Sequence, residues 1–535
     1  MPIAKNNHSL GETSLATNGK IWIVLCLAAI GFLAASFLHT INLPWVEEDN
    51  CFGAFYAQAA LNNLRAGLGT TGGVPATLYF GPLPIPRDAY YVHHPILVPL
   101  MVTGSIAIFG DKEWATKLVP ILCSLASAAL LWFLVSDTVG RRAAALVVAF
   151  FATLPMELHY GDMVDFEPCL VLWMLAALVC VRVWETRQHR QWAILAALCC
   201  FCAMWTDWPG YLFVLSLSVS FLVRKNGRRP GFAFGLLGLA AASGILFLFD
   251  IRHANPEAWR DLWTALTMRL GNGVAPGSSA AGQVSALHFT FAEWLRRIFQ
   301  GLGQDYLAPA WLFVLAGAIY LVCNRQSPGF RWLGWAALQM IVAGIPYLLL
   351  LRNWSFIHDF ASFFMIGSIA IFGGLGIEAA VRWIQSRQPT KILQTASAII
   401  VLGLLVWLAA AGFSRAQNQR SQFLMLDGIT GEPKNLIPDL GRYLAKTFPR
   451  DTMILCNFDP YYSPVSYYAQ KTIVRNLSSD GEWKTAADEA GPRLGGIVWL
   501  AAPSAPEILA ALPNSETFPV EIDGVRFAVW KPQVN

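Results

Sequence analysis

A series of long apolar runs limits the possible folds of this chain most strongly. A helix of about 20 apolar residues is long enough to cross a bilayer, and the first such run covers residues 21–38. Only 13% of the residues are charged, against about a quarter in soluble proteins. Further runs cover residues 95–109, 115–135, 142–156, 166–183, 191–206, 209–223, 231–250, 308–323, 331–351, 359–377 and 391–413. The sequence therefore predicts a polytopic, all-α membrane domain.

Basic residues occur in loops that alternate with loops poor in Lys and Arg, as is typical of cytoplasmic and outer loops. The basic residues are Arg141, Arg142, Arg182, Arg187, Arg190, Arg224, Lys225, Arg228, Arg229, Arg325, Arg331, Arg382, Arg387 and Lys391. The alternation holds only if residues 95–109 form an interfacial or re-entrant helix. We therefore predict about 11 spans, with the N-terminus inside and the C-terminus outside.

The same pattern predicts the limits of the domains. Residues 1–20 are polar and form a cytoplasmic tail, and the first apolar run is kept as a helix because no convincing signal cleavage site follows it. The membrane domain covers residues 21–413. Its two long outer loops are residues 40–114 and 251–307.

The composition changes after residue 413, and residues 414–535 are expected to form a small soluble α/β domain on the outer side. Residues 436–448 are expected to be helical. Strand-like runs occur at residues 452–456, 496–500 and 518–530. Its tyrosines, among them Tyr467 and Tyr468, are expected to pack in the small core, although they would also suit contact with a sugar.

Acidic residues gather at the outer mouths of the predicted helices. They are Glu47, Glu48, Asp49, Asp111, Glu113, Glu157, Asp162, Asp165, Glu167, Asp207 and Asp359. Intramembrane and boundary acids on several separate connections indicate a shared cavity. The first three acids directly precede an amphipathic pattern that begins near Cys51, which predicts a helix lying in the membrane interface. A simpler alternative is that Asp49 caps this helix.

Several stretches, taken together in their order, resemble a known family. They are GAFYAQAALNNLRAGL at 53–68, HHPIL at 93–97, FGDKEWATKLVPIL at 109–122, YGDMVDFEP at 160–168, TDWPGY at 206–211 and FIHDF at 356–360. This order resembles the polyprenyl-phosphate-sugar-dependent glycosyltransferases of the GT-C fold, family 39-like. That group includes protein O-mannosyltransferases, the lipid A aminoarabinose transferase and lipopolysaccharide-core galacturonosyltransferases.

The resemblance implies roles for three acids. Asp49 matches the family's catalytic acid and is expected to be the base that accepts the acceptor's proton, with Glu48 as the alternative. Glu113 matches a recurring acid that orients the acceptor or holds a divalent ion. Compensation of the helix dipole is the alternative for Glu113.

The resemblance and the chemistry of phosphate recognition together suggest residues that bind substrate. His93 and His94 are expected to contact the donor phosphate or sugar, and Arg352 is a further candidate for the lipid phosphate. His358 is expected to close the cavity from the far side. Interfacial polar residues without a ligand are the alternative for the histidines.

Four further polar residues have two explanations each. Lys117 is expected to contact phosphate or to pair with the acid four residues before it. Asp207 is a substrate-binding candidate and also a helix cap. Asp162 and Glu167 have spacing compatible with part of a divalent-cation site, whereas Asp165 between them is expected to be solvated.

The predicted function is that of an inverting glycosyltransferase. It would move a sugar from a polyprenyl-phosphate donor to a lipid, glycan or protein acceptor on the outer face of a bacterial inner membrane. No nucleic-acid partner is expected, and the only cofactor considered is a divalent cation. The alternatives are a polytopic transporter, for which internal repeats are expected but none is visible, and an envelope enzyme like an O-antigen ligase or polymerase.

Overall fold

The structure is a computed structural model that describes most of the chain. The described residues are 19–46, 51–224, 228–270, 289–387, 391–420, 435–457, 464–474, 477, 479–500 and 515–532. The predicted catalytic residues Asp49 and Glu48 lie outside these ranges, as does Glu47. The residues on either side of them, Val46 and Cys51, are described.

The described chain is mainly helical. The helices of its first half are α1 (Gly19–Thr40), α2 (Cys51–Ala66), α3 (Leu68–Thr71), α4 (Leu97–Phe109), α5 (Glu113–Thr138), α6 (Arg141–Thr153), α7 (Pro155–Tyr160), α8 (Phe166–Arg187), α9 (Arg190–Thr206), α10 (Pro209–Val223), α11 (Pro230–Ala254) and α12 (Ala258–Arg269). Those of its second half are α13 (Phe291–Asp305), α14 (Ala310–Cys323), α15 (Pro328–Leu350), α16 (Arg352–Ile357), α17 (Ile366–Arg387), α18 (Lys391–Arg420), α19 (Leu436–Thr447), α20 (Pro464–Ala469) and α21 (Asp480–Ala490). Short 3₁₀ turns cover Arg87–Ala89, Asp359–Met365 and Gly491–Arg493.

Helices long enough to cross a membrane confirm the prediction of a multi-pass membrane protein. Among the described residues, 7 helices have the required length and composition, or 8 if α13 and α14, bent by 92°, form one span. Three further apolar helices, α4, α9 and α10, are shorter. The count of about 11 spans and the interfacial position of α4 stay predictions.

Helix α17 is enclosed by its neighbours, because glycines let their backbones approach closely. A methyl group at Gly317 of α14 would overlap the Phe372 carbonyl of α17, and one at Gly376 would overlap the Phe313 carbonyl of α14. Small residues serve the same purpose at many helix contacts in membranes. The helix is also fixed by Glu378, whose buried carboxylate accepts hydrogen bonds from an arginine of α6.

The C-terminal domain is the predicted small α/β unit. Its five strands are β1 (Met453–Cys456), β2 (Thr472–Val474), β3 (Leu494–Leu500), β4 (Ser515–Ile522) and β5 (Val525–Pro532), in the order β2-β1-β3-β5-β4. β1 pairs in parallel with β2 and β3, and β5 pairs antiparallel with β3 and β4. The predicted helix and strand-like runs are therefore confirmed. The domain boundary at residue 413 stays a prediction, since α18 continues to Arg420.

Two tyrosines of α20 join this domain to the start of α5 and to the residue pair just before it. The Tyr467 hydroxyl donates to Asp111 Oδ1 at 2.7 Å. The Tyr468 hydroxyl donates to Glu113 Oε1 at 2.9 Å and accepts from the Trp45 backbone N–H at 2.9 Å. The expectation that these tyrosines pack within the small domain is therefore wrong, because their hydroxyls bind groups of the membrane domain.

Candidate active site

A cavity of about 570 Å³ lies at the helix ends that face the C-terminal domain. Its volume is typical of small-molecule sites, which measure roughly 300–1,000 Å³. Its walls come from α2, α7, α8, α12, α13, α16 and α18, together with the connections before and after them. The lining residues are Cys51, Phe52, Phe55, Tyr56, Tyr91, His94, His159, Tyr160, Asp165, Phe166, Glu167, Asp207, Arg269, Arg297, Gln304, Trp354, Ile357, His358, Asp359, Phe360, Arg415 and Gln419.

One end of the cavity carries a hydrogen-bonded chain of three residues, which we name the Arg269 cluster: Arg269, His94 and Asp207. The Arg269 guanidinium lies 3.0 Å from His94 Nε2, and His94 Nδ1 lies 2.8 Å from Asp207 Oδ1. Because arginine only donates, Nε2 must accept, and the imidazole proton is on Nδ1, which donates to Asp207. Burial lowers the pKa of His94, in agreement with a neutral ring.

Two further acids, Asp165 and Glu167, and the Tyr56 hydroxyl complete this end. Asp165 caps α8, because its Oδ1 accepts from the Phe166 backbone N–H at 2.9 Å. The Tyr56 hydroxyl lies 3.4 Å from the same oxygen. Burial raises the pKa of Asp165 to about 8, so its carboxyl is mainly protonated at neutral pH. Glu167 Oε2 is buried and has no hydrogen-bond partner among the described residues. Because Asp165 is mainly protonated, the three nearby acids, Asp165, Glu167 and Asp207, do not all carry a negative charge beside Arg269.

The opposite end is formed by α13 and α18, and we name it the α13–α18 end. Arg297 and Gln304 come from α13, while Arg415 and Gln419 come from α18. The Arg415 guanidinium donates from Nη2 to Gln304 Oε1 at 2.7 Å. The Gln419 amide donates to Asp305 Oδ1 at 2.9 Å. These contacts tie α13 to α18 and fix the side chains that face the cavity.

The segment before the predicted catalytic acids is held firmly at Trp45, whose side chain is fully buried. The Lys117 ammonium lies 5.1 Å from the centre of the Trp45 ring and donates to the Thr40 carbonyl at 2.9 Å. Gly53 of α2 packs against the same indole, and any side chain at this position would overlap the ring. Together with the Tyr468 contact, these interactions fix the backbone directly before residues 47–49.

Comparison with known sequences gives one family match. Residues 93–250 match the sequence model of the family described as dolichyl-phosphate-mannose-protein mannosyltransferase. The matched residues include five polar residues of the cavity wall: His94, His159, Asp165, Glu167 and Asp207. No curated protein matches the sequence.

Solved structures give much more extensive matches. ArnT from Cupriavidus metallidurans, bound to undecaprenyl phosphate, matches with a TM-score of 0.61 at 14% identity, over 95% of this chain and 98% of its own. The oligosaccharyltransferase AglB from Archaeoglobus fulgidus, with an inhibitory peptide and a dolichol-phosphate, gives 0.53 at 12% identity, over 89% and 69%. The chain has the GT-C fold. The mycobacterial arabinofuranosyltransferase AftD gives 0.50 at 14% identity, over 96% of this chain and 40% of its own.

These matches confirm two predictions. The resemblance to polyprenyl-phosphate-sugar-dependent GT-C glycosyltransferases is confirmed by the fold and by the family match. The family match, with the GT-C fold around it, also confirms that the chain is a glycosyltransferase.

Four predicted site residues line the GT-C cavity: His94, Glu167, Asp207 and His358. Burial lowers the pKa of His358 to about 3, so its ring is neutral and contributes no positive charge. Asp207 also accepts from the Trp208 backbone N–H at 2.8 Å, as expected for a residue at a helix start. Asp165 is a correction: it is only 5% exposed and not solvated, because the start of α8 is covered by α2.

The other predicted residues lie outside the cavity lining. Glu113 binds Tyr468, Lys117 supports Trp45, and Arg352 is exposed. His93 lies beside Tyr91, with ring centres 4.7 Å apart, and its carbonyl accepts from Trp208. Their substrate contacts stay predictions.

The predicted cation ligands have different surroundings. Asp162 is paired with the Arg420 guanidinium at 2.6 Å and with the Thr40 hydroxyl at 2.5 Å, so both of its oxygens are in use. Glu167 lies in the cavity instead. Across the described ranges, no group of three or more His, Cys, Asp or Glu side chains is arranged to hold a metal ion. The geometry therefore gives no support to a cation bound jointly by Asp162 and Glu167.

Several cavity residues were not predicted from the sequence, among them Tyr91, Arg269, Arg297 and Arg415. Tyr91 stands within the Tyr-Tyr-Val-His-His stretch that marks this region. Arg269 and Arg297 could have been suspected, because both lie in residues 251–307, which were predicted to form a long outer loop. Nothing in the sequence distinguishes Arg415 from the other basic residues that end an apolar helix.

Proposed function

We propose that this protein is an inverting glycosyltransferase that transfers a sugar from a polyprenyl phosphate to a lipid, glycan or protein acceptor. The observation that carries the proposal is the cavity at the outer helix ends, which combines the Arg269 cluster with buried acids. Its position lets a lipid-borne phosphate enter from the bilayer while its sugar enters a polar site. The comparison structures, solved with undecaprenyl phosphate or a dolichol-phosphate, support the same class of donor.

The donor phosphate is proposed to bind at the Arg269 cluster. A guanidinium forms strong, charge-assisted hydrogen bonds with phosphate oxygens. Asp207 fixes the neutral tautomer of His94, whose Nε2 in turn accepts from Arg269, so Arg269 is held in one orientation before the donor arrives. Preorganised donors of this kind stabilise charge as it develops on the leaving group. Arg269 would thus favour departure of the polyprenyl phosphate.

Asp49 is proposed as the base, and its place in the chain supports this role. Asp49 precedes Cys51 by two residues, and Cys51 and Phe52 both line the cavity. The role is therefore supported by position along the chain, because two residues span at most about 7 Å. Glu48, the alternative base, is one residue more distant along the chain.

The proposed reaction is a single displacement. An acceptor hydroxyl attacks the anomeric carbon while Asp49 takes its proton, and the bond between that carbon and the phosphate oxygen breaks. The bonding electrons leave with the polyprenyl phosphate, and the configuration at the anomeric carbon inverts. Glu113 acts indirectly in this scheme, by holding Tyr468 against the segment that carries the base.

Replacement of the base provides the test. Asp49→Asn keeps the shape but removes the basicity, and general-base catalysis is worth about 10²–10⁴-fold. In purified protein in lipid nanodiscs, turnover of a panel of polyprenyl-phosphate sugars should fall by that factor, with donor binding unchanged. Glu48→Gln should be milder. Glu257→Gln, on the exposed start of α12, is the matched control.

Three results would change the proposal. Full turnover by Asp49→Asn together with loss in Glu48→Gln would move the base to Glu48. Full turnover by both variants would refute acid-base transfer at this site. Unchanged envelope glycans and lipids, compared by mass spectrometry with and without the protein, would contradict the glycosyltransferase assignment in the cell.

Reaction on the outer face of a bacterial inner membrane is part of the proposal. The alternating basic loops support an inside N-terminus and an outside C-terminal domain. The cavity and the C-terminal domain lie at the same ends of the helices, since Tyr468 binds Glu113 at the start of α5. Both would therefore face outward.

A further inference from the structure

The α13–α18 end of the cavity is chemically distinct from the Arg269 cluster. The charged side chains that line it are Arg297, Arg415 and Asp359. Two positive charges thus face the cavity against one negative charge. Asp305, the other acid nearby, is directed to Gln419 and does not line the cavity. The lining at this end therefore carries a net positive charge that does not come from the Arg269 cluster.

Two buried polar atoms of the residues that line this end have no partner among the described residues. They are Arg415 Nε, a donor, and Gln419 Oε1, an acceptor. Neither side chain is free to turn away, because Arg415 Nη2 is bound to Gln304 and the Gln419 amide nitrogen to Asp305. Unpaired polar atoms in a cavity wall can be satisfied by a ligand with the complementary donor and acceptor.

The chemistry of that ligand follows from the two atoms and their surroundings. Arg415 Nε and the Arg297 guanidinium require oxygen acceptors, and two guanidiniums favour an anionic group. Gln419 Oε1 requires a donor, which a hydroxyl supplies. A saccharide that carries a phosphate or a carboxylate offers both within one small group.

We propose that the α13–α18 end binds the acceptor, and that this acceptor is an anionic saccharide. The anion would contact Arg297 and Arg415, and a neighbouring hydroxyl would donate to Gln419. This inference rests on the proposed function and names the substrate class that the function left open. Donor and acceptor would then enter the cavity from opposite ends and meet beside α2.

The test uses three acceptors that share one saccharide skeleton and differ in the anionic group they carry. They are a lipid-anchored disaccharide with one phosphate, its uronate analogue and the neutral parent. Each is titrated by calorimetry against the full-length protein in nanodiscs. An anionic acceptor should bind at least about ten-fold more tightly than the neutral parent, because hydrogen bonds to charged groups contribute more than neutral ones. The phosphate and uronate compounds distinguish the two possible anions.

Matched variants locate the effect. Arg415→Gln and Arg297→Gln should each weaken binding of the anionic acceptor about ten-fold and leave the neutral parent unaffected. Arg296→Gln, the exposed neighbour on α13, should bind all three acceptors as the unmodified protein does. Donor affinity, measured with a polyprenyl-phosphate sugar, should be unchanged in every variant, which also shows that each variant is folded.

Two outcomes would overturn the inference. Equal affinity of the unmodified protein for neutral and anionic acceptors would remove the need for an anion. Weaker donor binding in Arg415→Gln, with acceptor binding intact, would assign this end to the donor. Failure of the proposed function would differ from both, because the anionic acceptor would then bind but no sugar would be transferred to it.

Discussion

The Tyr468 hydroxyl provides the most direct test of how the C-terminal domain serves catalysis. Tyr468→Phe removes one oxygen and two hydrogen bonds, to Glu113 and from the Trp45 backbone. A hydrogen bond to a charged group contributes about 1.5–3 kcal/mol and a neutral one about 0.5–1.5 kcal/mol. Both contacts are only partly buried, and water replaces part of them. We therefore expect a net loss of about 2 kcal/mol.

The lost hydrogen bonds destabilise the backbone position of Trp45, directly before the segment that contains the proposed base. A loss of about 2 kcal/mol is a factor of roughly 30 in the equilibrium constant between the productive and other arrangements of this segment. We therefore expect kcat to fall by about 10- to 30-fold, while the donor KM is unchanged because Tyr468 does not line the cavity. The assay is steady-state turnover of a polyprenyl-phosphate sugar by the purified protein.

Tyr467→Phe is the matched control. It removes a similar hydroxyl from the same helix, but that hydroxyl binds Asp111 and does not contact Trp45. Its kcat should stay within about two-fold of the unmodified protein, as for a substitution remote from the base. Full kcat in Tyr468→Phe would refute the role of this hydroxyl in positioning the backbone at Trp45. That role is also refuted if both variants lose kcat equally, since general loosening of the domain would then explain the effect.

Three further predictions concern the fold and its titration. Burial raises the pKa of Asp165 from 3.8 to about 8, so the folded protein keeps a proton that the unfolded chain loses, and this residue's contribution to stability falls as the pH rises between those values. The advantage of Asp165→Asn in thermal unfolding should therefore be larger at about pH 8.5 than at about pH 4.5; equal differences would contradict the buried carboxyl. Gly317→Val should separate α14 from α17, at a cost of about 1–3 kcal/mol, seen as a lower melting temperature, whereas Gly303→Val, at a glycine with open space, should change it much less. Reporter fusions should place residue 141 inside and the C-terminus outside, and a cytoplasmic C-terminus would refute the proposed orientation.

The general architecture could be predicted because it depends on patterns local to the sequence. The length of an apolar run indicates a membrane helix wherever it occurs. The change of composition after residue 413 indicates the C-terminal α/β domain. The motifs of the family are also local, and His94, Glu167 and Asp207, which belong to them, line the cavity; their roles stay predictions. The parallel order of β1, β2 and β3 was not predicted, since it depends on how separate strands come together.

The pairing of site residues could not be predicted, because it depends on tertiary contacts. His94 and Asp207 are 113 positions apart, and the sequence contains no sign that they share a hydrogen bond. Arg260 and Arg269 lie on the same helix, yet only Arg269 reaches the cavity. Lys117 resembled a phosphate ligand by its place after Glu113. Its ammonium instead supports Trp45, as the packing of α5 against α1 requires.

The contacts of Trp45 and Asp162 also bear on how the protein is made. Both residues emerge early in synthesis, but their partners Tyr468 and Arg420 emerge only near the end. Domains form as their chain is completed, N-terminal parts first. A nascent chain can therefore insert its first helices long before the cavity walls are joined. Under the proposed function, donor lipids in the same membrane would meet a complete site only after α18 and the C-terminal domain have joined the first helices.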